Sequence, residues 1–533
     1  MNKFRQHLKI SFSLPIYQVI YISIIGFALI FFYRPLSELD FFWRILIGNS
    51  YLQEIKPESY GLLTWSSENN FGDWVTTQPL GEILLFLLFR FGGLELVSVV
   101  RLFLWCVIVF CIFLTLLRKD RFLFLKFRYK FCLFNIASLG SLLVIPFIQE
   151  RPQTFVLMIL AVIGPLIFRA PRGWTKNERV LIFVLVAISV FIHPSWLVLY
   201  ALLCVSYLKC LLPRKPFSFR EWIYNIKTQF RIHDIPLVLF IPVLPIFGPS
   251  GFNYYHNIGS ISRAGSKFYS EWQPLWRFEG RNLLLVLYFL FCLLYLVLIN
   301  IKRLRRIQHL FITVSSLSLL LFPFLSARLL PFSILCSIIY LNTLLSSILI
   351  DDLELSSSAK DLLHLSRPSV AVSLICLIPI LFFCLSLSNA LRITSNATED
   401  YISKNPIRII ESMRTLGSSL VINGPNEGAL IHYFGGQDVV PLFDGRSDRY
   451  KSGAIKEIAK IMSSNAQGND LVKTEEFDVA TDILIPQSSL FRPSPETGFR
   501  FVCQENGYLW FTRKISAKCL TSHDLPATFK GGL

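Results

Sequence analysis

Short clusters of lysine and arginine cut this chain into long apolar runs, and that alternation limits its possible folds more than any single motif does. Lys3, Arg5 and Lys9 precede an apolar run from about Ser11 to Tyr33, and basic clusters recur at Arg118 to Lys130, Arg169 to Arg179, Lys209 to Arg231 and Lys302 to Arg306. Basic residues beside spanning runs are held on the cytoplasmic side of a membrane, so the chain between two clusters crosses an even number of times. With 53% of its 533 residues hydrophobic, 16% charged and a mean hydropathy of +0.53, the chain falls outside the range of ordinary soluble proteins. The formal charge of +17 therefore reports orientation, and no nucleic-acid partner is expected.

Parity settles the ambiguous runs. Phe131 to Phe168 breaks at Gln149-Glu150-Arg151-Pro152-Gln153, and Val180 to Leu212 breaks near His193-Pro194. Pro236 to Asn300 breaks at the polar loop Gly251 to Arg281, and His309 to Ile350 breaks at Pro323 to Arg328. Each is a pair of spans with an outward turn, and Val370 to Leu387 crosses once more. The first run ends at Arg34-Pro35 instead of a small-residue cleavage site, which gives an uncleaved anchor with a cytoplasmic N-terminus. The count is about eleven spans, and the C-terminus lies outside.

The expected fold is thus an α-helical polytopic membrane protein over residues 1–387, whose outer loop 35–79 contains interfacial helices. A soluble extracytoplasmic α/β domain follows over residues 388–533. In that tail, strands are predicted at Ser419 to Ile422, Val439 to Phe443 and Asp482 to Ile485, with a helix at Gly453 to Met462. Most of the 11 cysteines lie in or beside apolar runs; Cys503 and Cys519 lie in the polar tail and can form one disulfide if it is exported.

Asp40, Glu150-Arg151, His193, Glu271-Trp272 and Arg328 all fall at outward turns. Ionisable groups at a membrane are costly and often mark a substrate path or a site. Each also has a plainer reading. Asp40 can cap the helix predicted over Phe41 to Leu52, whose Phe41, Ile45 and Leu52 share a face. Glu150 and Arg151 can form a local ion pair, and His193 can be a packing residue. Arg328 has no acidic neighbour in sequence; it can hold a phosphate bidentately or snorkel to the interface. Glu271 and Trp272 stand in an aromatic loop that suits either a sugar or an interfacial belt. Pro79 fits the first turn of a helix on which Glu82 can pair with Arg90 or Arg101. In the tail, Asp444, Arg446 and Asp448 form either a binding rim at a strand end or an Asp-Gly turn.

In order, Asp40-Phe-Phe-Trp43-x4-Gly48, Trp74-x5-Leu80-x-Glu82, Phe91-Gly92-Gly93, Arg151-Pro-Gln153, Glu271-Trp272, Ser326-Ala-Arg328 and Phe443-Asp-Gly-Arg446-x-Asp448-x-Tyr450 resemble a group of bacterial multi-spanning proteins. These are related to the GT-C superfamily of membrane glycosyltransferases, which includes protein mannosyltransferases, aminoarabinose transferases and oligosaccharyltransferases. The resemblance implies a polyprenyl-phosphate-linked sugar as donor, a glycan, lipid or protein as acceptor, and a place in the bacterial inner membrane among its lipids. It implies Asp40 as general base or as the ligand of a divalent cation, Glu150 as a second acid, and Arg151 and Arg328 at the departing lipid phosphate. His193, Glu271, Trp272, Asp444 and Arg446 are the further substrate-binding candidates. Where relatives are expected to carry a histidine after the tryptophan, this chain has Arg44.

Overall fold

The computed structural model describes residues 20–30, 33, 41–53, 77–116, 127–167, 174–211, 223–224, 234–259, 286–294, 326–341, 370–417, 419–424, 427–442, 472 and 475–520. Helix α1 covers Ile20–Ile30, α2 Phe41–Leu52 and α3 Pro79–Leu116. They are followed by α4 Phe127–Val144, α5 Pro152–Ile167, α6 Lys176–Ile192 and α7 Trp196–Leu211. The Arg328 segment opens helix α8, Ala327–Leu341, and α9 spans Val370–Ser395.

The predicted breaks at Pro152 and at His193-Pro194 are where helices end and begin, because each proline removes a backbone donor and restricts the residue before it. Among the described residues, α3 alone is long and apolar enough to cross a membrane as one helix, and Ile235–Phe247 with Gly251–Gly259 forms a bent pair at 113°. Within α3 the helix is broken at Gly92 and Gly93; Gly93 has φ of +62°, which a side chain would resist. The outer faces of these helices leave Phe91, Phe103 and Phe110 exposed, a surface suited to lipid.

Helices α1, α3 to α8 and the end of α9 share one apolar core. A second core joins α2 and the first half of α3 to the tail. The tail begins with α10, Ala397–Ile402, and α11, Ile407–Thr415. Its sheet has strands β1 Ser419–Ile422, β2 Val439–Pro441, β3 Asp482–Pro486, β4 Arg500–Glu505 and β5 Tyr508–Thr512, in the order β2-β1-β3-β5-β4. The first three are parallel; β5 runs antiparallel to both β3 and β4. Crossover helix α12, Gly428–Gly435, links β1 to β2. Asn506 and Gly507 both have positive φ, as the tight turn between β4 and β5 requires. The predicted strands are present to within two residues of their ends, whereas the predicted helix Gly453 to Met462 lies outside the described residues. Cys503 and Cys519 form a disulfide with Cα atoms 6.2 Å apart.

Helix α2 differs from a helix with a single buried face. Phe41 and Ile45 are buried, but so are Phe42, Trp43, Ile47 and Gly48, while Leu52 is 47% exposed. The reason is that α2 is packed on one side by α3 and on another by α12. The Phe42 ring lies 4.3 Å from Tyr433, 5.0 Å from Phe434 and 5.4 Å from Tyr401, and Trp43 lies 5.7 Å from His432. These rings place the tail directly on the segment that follows Asp40.

Just before α12, the Tyr508 hydroxyl donates to Glu427 Oε1 at 3.0 Å, and burial pushes the Glu427 carboxyl above the usual carboxylate range against that hydrogen bond. Burial also raises Glu411 and Glu505, with nearby Arg414 and the backbone N–H groups of Ile409 and Arg408 opposing it respectively. The folded tail therefore binds protons more tightly than the unfolded chain. This contribution to stability is complete below the ordinary glutamate value and is lost as pH rises through the raised values. Thermal unfolding followed from about pH 4 to about pH 7 is expected to show a falling midpoint. Glu427→Gln should flatten part of that slope; an unchanged slope would show that Glu427 titrates alike in both states.

Candidate anion site at the helix ends

Two glycines bring the site together. A Cβ on Gly48 of α2 would stand 2.3 Å from the Glu82 carbonyl oxygen, and one on Gly81 of α3 would stand 2.4 Å from the Ile192 carbonyl oxygen and 2.5 Å from Pro152 Cβ. The backbones of α2, α3, α5 and α6 therefore meet with no room for a side chain between them. Arg44 lies one helical turn before Gly48, Arg151 immediately precedes Pro152, and His193 immediately follows Ile192. Segments far apart in sequence thus deliver these three residues to one place.

His193 is the centre of the cluster. The backbone N–H of Ser195 donates to its Nδ1 at 3.1 Å, with the Ser195 hydroxyl 2.9 Å from the same atom. A ring nitrogen that accepts from an N–H carries no proton, so the ring is the tautomer with hydrogen on Nε2. The charges of Arg328, Arg44 and Arg151 all act on this ring, Arg328 most strongly. Arg328 is braced across the bundle: its Nε donates to Gln153 Oε1 at 2.9 Å, and Gln153 Nε2 donates back to the Arg328 carbonyl at 3.4 Å. The Arg151-Pro-Gln153 and Ser326-Ala-Arg328 motifs are therefore one structural unit. Arg44 Nε is buried and has no hydrogen-bond partner among the described residues.

Glu150 is held just before that unit. Its carboxylate is buried and paired with the guanidinium of Arg101, which also lies 4.6 Å over the ring of Tyr33. The Tyr33 hydroxyl donates to the Ser98 carbonyl at 3.1 Å. The pair ties the turn before α5 to α3 and to the residue just past α1. Glu82 was expected to pair with Arg90 or Arg101; Arg101 donates to Glu150, and Glu82 Oε1 accepts from Gln78 Nε2 at 3.1 Å.

The structure thus gathers Arg151, His193 and Arg328, with Glu150 beside them. Asp40, Glu271, Trp272, Asp444 and Arg446 lie outside the described residues. Leu442, at the end of the strand that leads to Asp444, donates its N–H to Asn423 Oδ1 at 2.9 Å. Sequence reading passed over Arg44 and Gln153 as site residues. The spacing of Arg44 to Gly48 on a helix and of Arg151 to Gln153 at its start were the available signals. A ring N–H among three guanidiniums is a set of donors, and such a set binds an anion. Among the described residues no group of three or more His, Cys, Asp or Glu could hold a metal ion, and Asp40, for which the resemblance implies a divalent cation, lies outside them.

No protein-family model matches the chain, and no curated protein matches it. Among solved structures it is similar to the archaeal oligosaccharyltransferase AglB from Archaeoglobus fulgidus, in complex with an inhibitory peptide and a dolichol-phosphate. The identity is 12%, the match covers 98% of this chain and 75% of that one, and the TM-score is 0.45. It is also similar to ArnT from Cupriavidus metallidurans in the apo state, at 9% identity over 94% of this chain and 99% of that one, with a TM-score of 0.42. The same ArnT bound to undecaprenyl phosphate matches at 10% identity and a TM-score of 0.42, over 95% and 99%. These are GT-C glycosyltransferases, the kind of protein that the sequence resembles.

Two substitutions probe this framework. Gly81→Val should destabilise the purified protein by about 1–3 kcal/mol through overpacking, while Gly259→Val, which meets open space, should leave the melting temperature near that of the unsubstituted protein. Arg101→Met should cost about 3–5 kcal/mol, because it strands a buried carboxylate. Neutralising both partners as Arg101→Met with Glu150→Gln should recover part of that loss in the same melting experiment.

Proposed function

We propose that this protein is a membrane glycosyltransferase that moves a sugar from a polyprenyl-phosphate donor to an envelope acceptor on the extracytoplasmic side of the bacterial inner membrane. The observation that carries this reading is the convergence of Arg151, Arg328 and His193, from turns far apart in sequence, at the ends of apolar helices. A lipid phosphate is the anion that a membrane delivers to that position.

In this reading Arg328, held in orientation by Gln153, and Arg151 bind the phosphate of the donor, with His193 Nε2 as a neutral hydrogen-bond donor. Fixed donors aimed at a phosphate oxygen stabilise the charge that develops there as the sugar leaves. Asp40 is the general base for the acceptor hydroxyl. Glu150 holds the turn that carries Arg151 through its pairing with Arg101. Glu271 and Trp272 bind the sugar, and Asp444 and Arg446 meet the acceptor beneath the α/β tail. This reading takes the chain as about eleven spans with that tail outside, as the parity of the basic clusters implies.

The test uses the full chain in proteoliposomes with labelled polyprenyl-phosphate-linked hexoses. Sugar transfer and release of lipid phosphate are expected, and Asp40→Asn should slow turnover by about 10²-fold or more. Intact donor recovered on the opposite leaflet without lipid phosphate release would make the protein a flippase, and unchanged turnover in Asp40→Asn would remove Asp40 from the reaction.

A further inference from the structure

Arg44 is the residue of the cluster for which neither the sequence resemblance nor the function above supplies a task. It stands where a histidine was expected, on a helix whose Phe41, Phe42, Trp43, Ile45 and Ile47 are buried. Its charge acts on His193 beside those of Arg151 and Arg328, and its Nε is buried with no hydrogen-bond partner among the described residues. An unpartnered guanidinium atom held out of water is costly unless a ligand completes it. Its position on α2 is set rigidly, because Gly48 presses that helix against the α3 backbone and Phe42 and Trp43 lock it to the tail. Arg44 therefore cannot readily swing away to find a partner elsewhere.

The number of charges in the reaction changes in a way that gives Arg44 a task. In the transfer, the bond from the sugar anomeric carbon to the phosphate oxygen breaks and its electron pair stays on that oxygen. The acceptor hydroxyl oxygen forms the new bond to the anomeric carbon, and its proton passes to the Asp40 carboxylate. The donor phosphate is a diester with one negative charge; the departing lipid phosphate is a monoester that carries a second charge above its second pKa of about 6. We infer that Arg44 is the third guanidinium of the anion site and fits it to a doubly charged terminal lipid phosphate in preference to the singly charged diester. The inference rests on the anion-site reading of the preceding section. It makes Arg44 a residue that favours departure of the lipid phosphate, with the planar fork of arginine suited to two oxygens of one phosphate.

Binding of two probes to the purified full chain in nanodiscs tests this apart from transfer. The probes are polyprenyl phosphate and its methyl diester, titrated at about pH 8, where the monoester is doubly charged. The unsubstituted protein should bind the monoester more tightly, and Arg44→Gln should weaken the monoester by about tenfold while changing the diester by less than about twofold. Arg44→Lys, which keeps the charge and loses the fork, should fall between the two. The ratio of the two affinities on one preparation does not depend on the fraction folded, so a partly unfolded variant still reports. Arg44→Gln weakening both probes equally, or neither, would overturn the role of Arg44 and leave the anion site standing. Failure of the unsubstituted protein to bind either probe would overturn the anion site itself.

Discussion

The close approach of backbones at Gly48 and Gly81 governs this structure. Helices normally stand 8–10 Å apart with side chains between them. Here the carbonyl oxygens of Glu82 and Ile192 occupy the space that a Cβ would need. That contact gives up the packing energy of two side chains. In return it brings the starts or ends of helices that are remote in sequence to one point. Arg44, Arg151 and His193 are each within one helical turn of the contact, so their convergence follows from it without any long or mobile connection.

Convergence of positive charge needs a counterweight, and the two described elements beside the site handle it differently. Arg101 and Glu150 neutralise each other, and the Tyr33 ring supplies the remaining face of the guanidinium. A buried pair of this kind adds little net stability, but breaking it is costly, so it fixes geometry more than it lowers energy. Arg328 is braced by a neutral amide, Gln153, which orients a guanidinium without cancelling its charge. A carboxylate in place of Gln153 would hold Arg328 as well and would weaken its attraction for an anion. The distinction separates a guanidinium paired with a carboxylate from one that an amide orients.

Much of this was legible in the sequence. Polar and proline interruptions of apolar runs marked the turns at Pro152 and Pro194, and short apolar runs marked β1 and β3, because those signals act within a few residues. The parity of basic clusters gave the reason to look for Glu150, His193 and Arg328 on one side. What remained hidden depends on contacts across the bundle. Arg101 was one of two arginines considered for Glu82, and its pairing with Glu150, 49 positions away, has no local signal. The brace between Gln153 and Arg328 spans 175 positions. The helix after Asp40 was expected to be interfacial with Phe41, Ile45 and Leu52 on one face, yet Phe42 and Trp43 meet Tyr433, Phe434 and His432. No local pattern distinguishes a ring that meets lipid from one that meets a distant helix of the same chain.

That aromatic contact has a consequence for how the two parts of the protein act together. Phe42 and Trp43 belong to the tail's core, and Arg44, the next residue, belongs to the anion cluster. Successive residues on a helix point about 100° apart, so one short helix presents both surfaces. Moving α12 away from α2 would expose the rings of Phe42 and Trp43 to water, a loss of roughly 1.5–3 kcal/mol for each large apolar side chain. The docked tail therefore holds α2 in the position that places Arg44 near His193. Glu95, just past the Gly92-Gly93 break, accepts the Thr398 N–H at 3.3 Å and joins the start of the tail to α3 as well. With the tail fastened to both helices that meet at Gly48, the geometry of the membrane-side cluster and the folding of the tail are a single problem, and neither core is complete without residues from the other end of the chain.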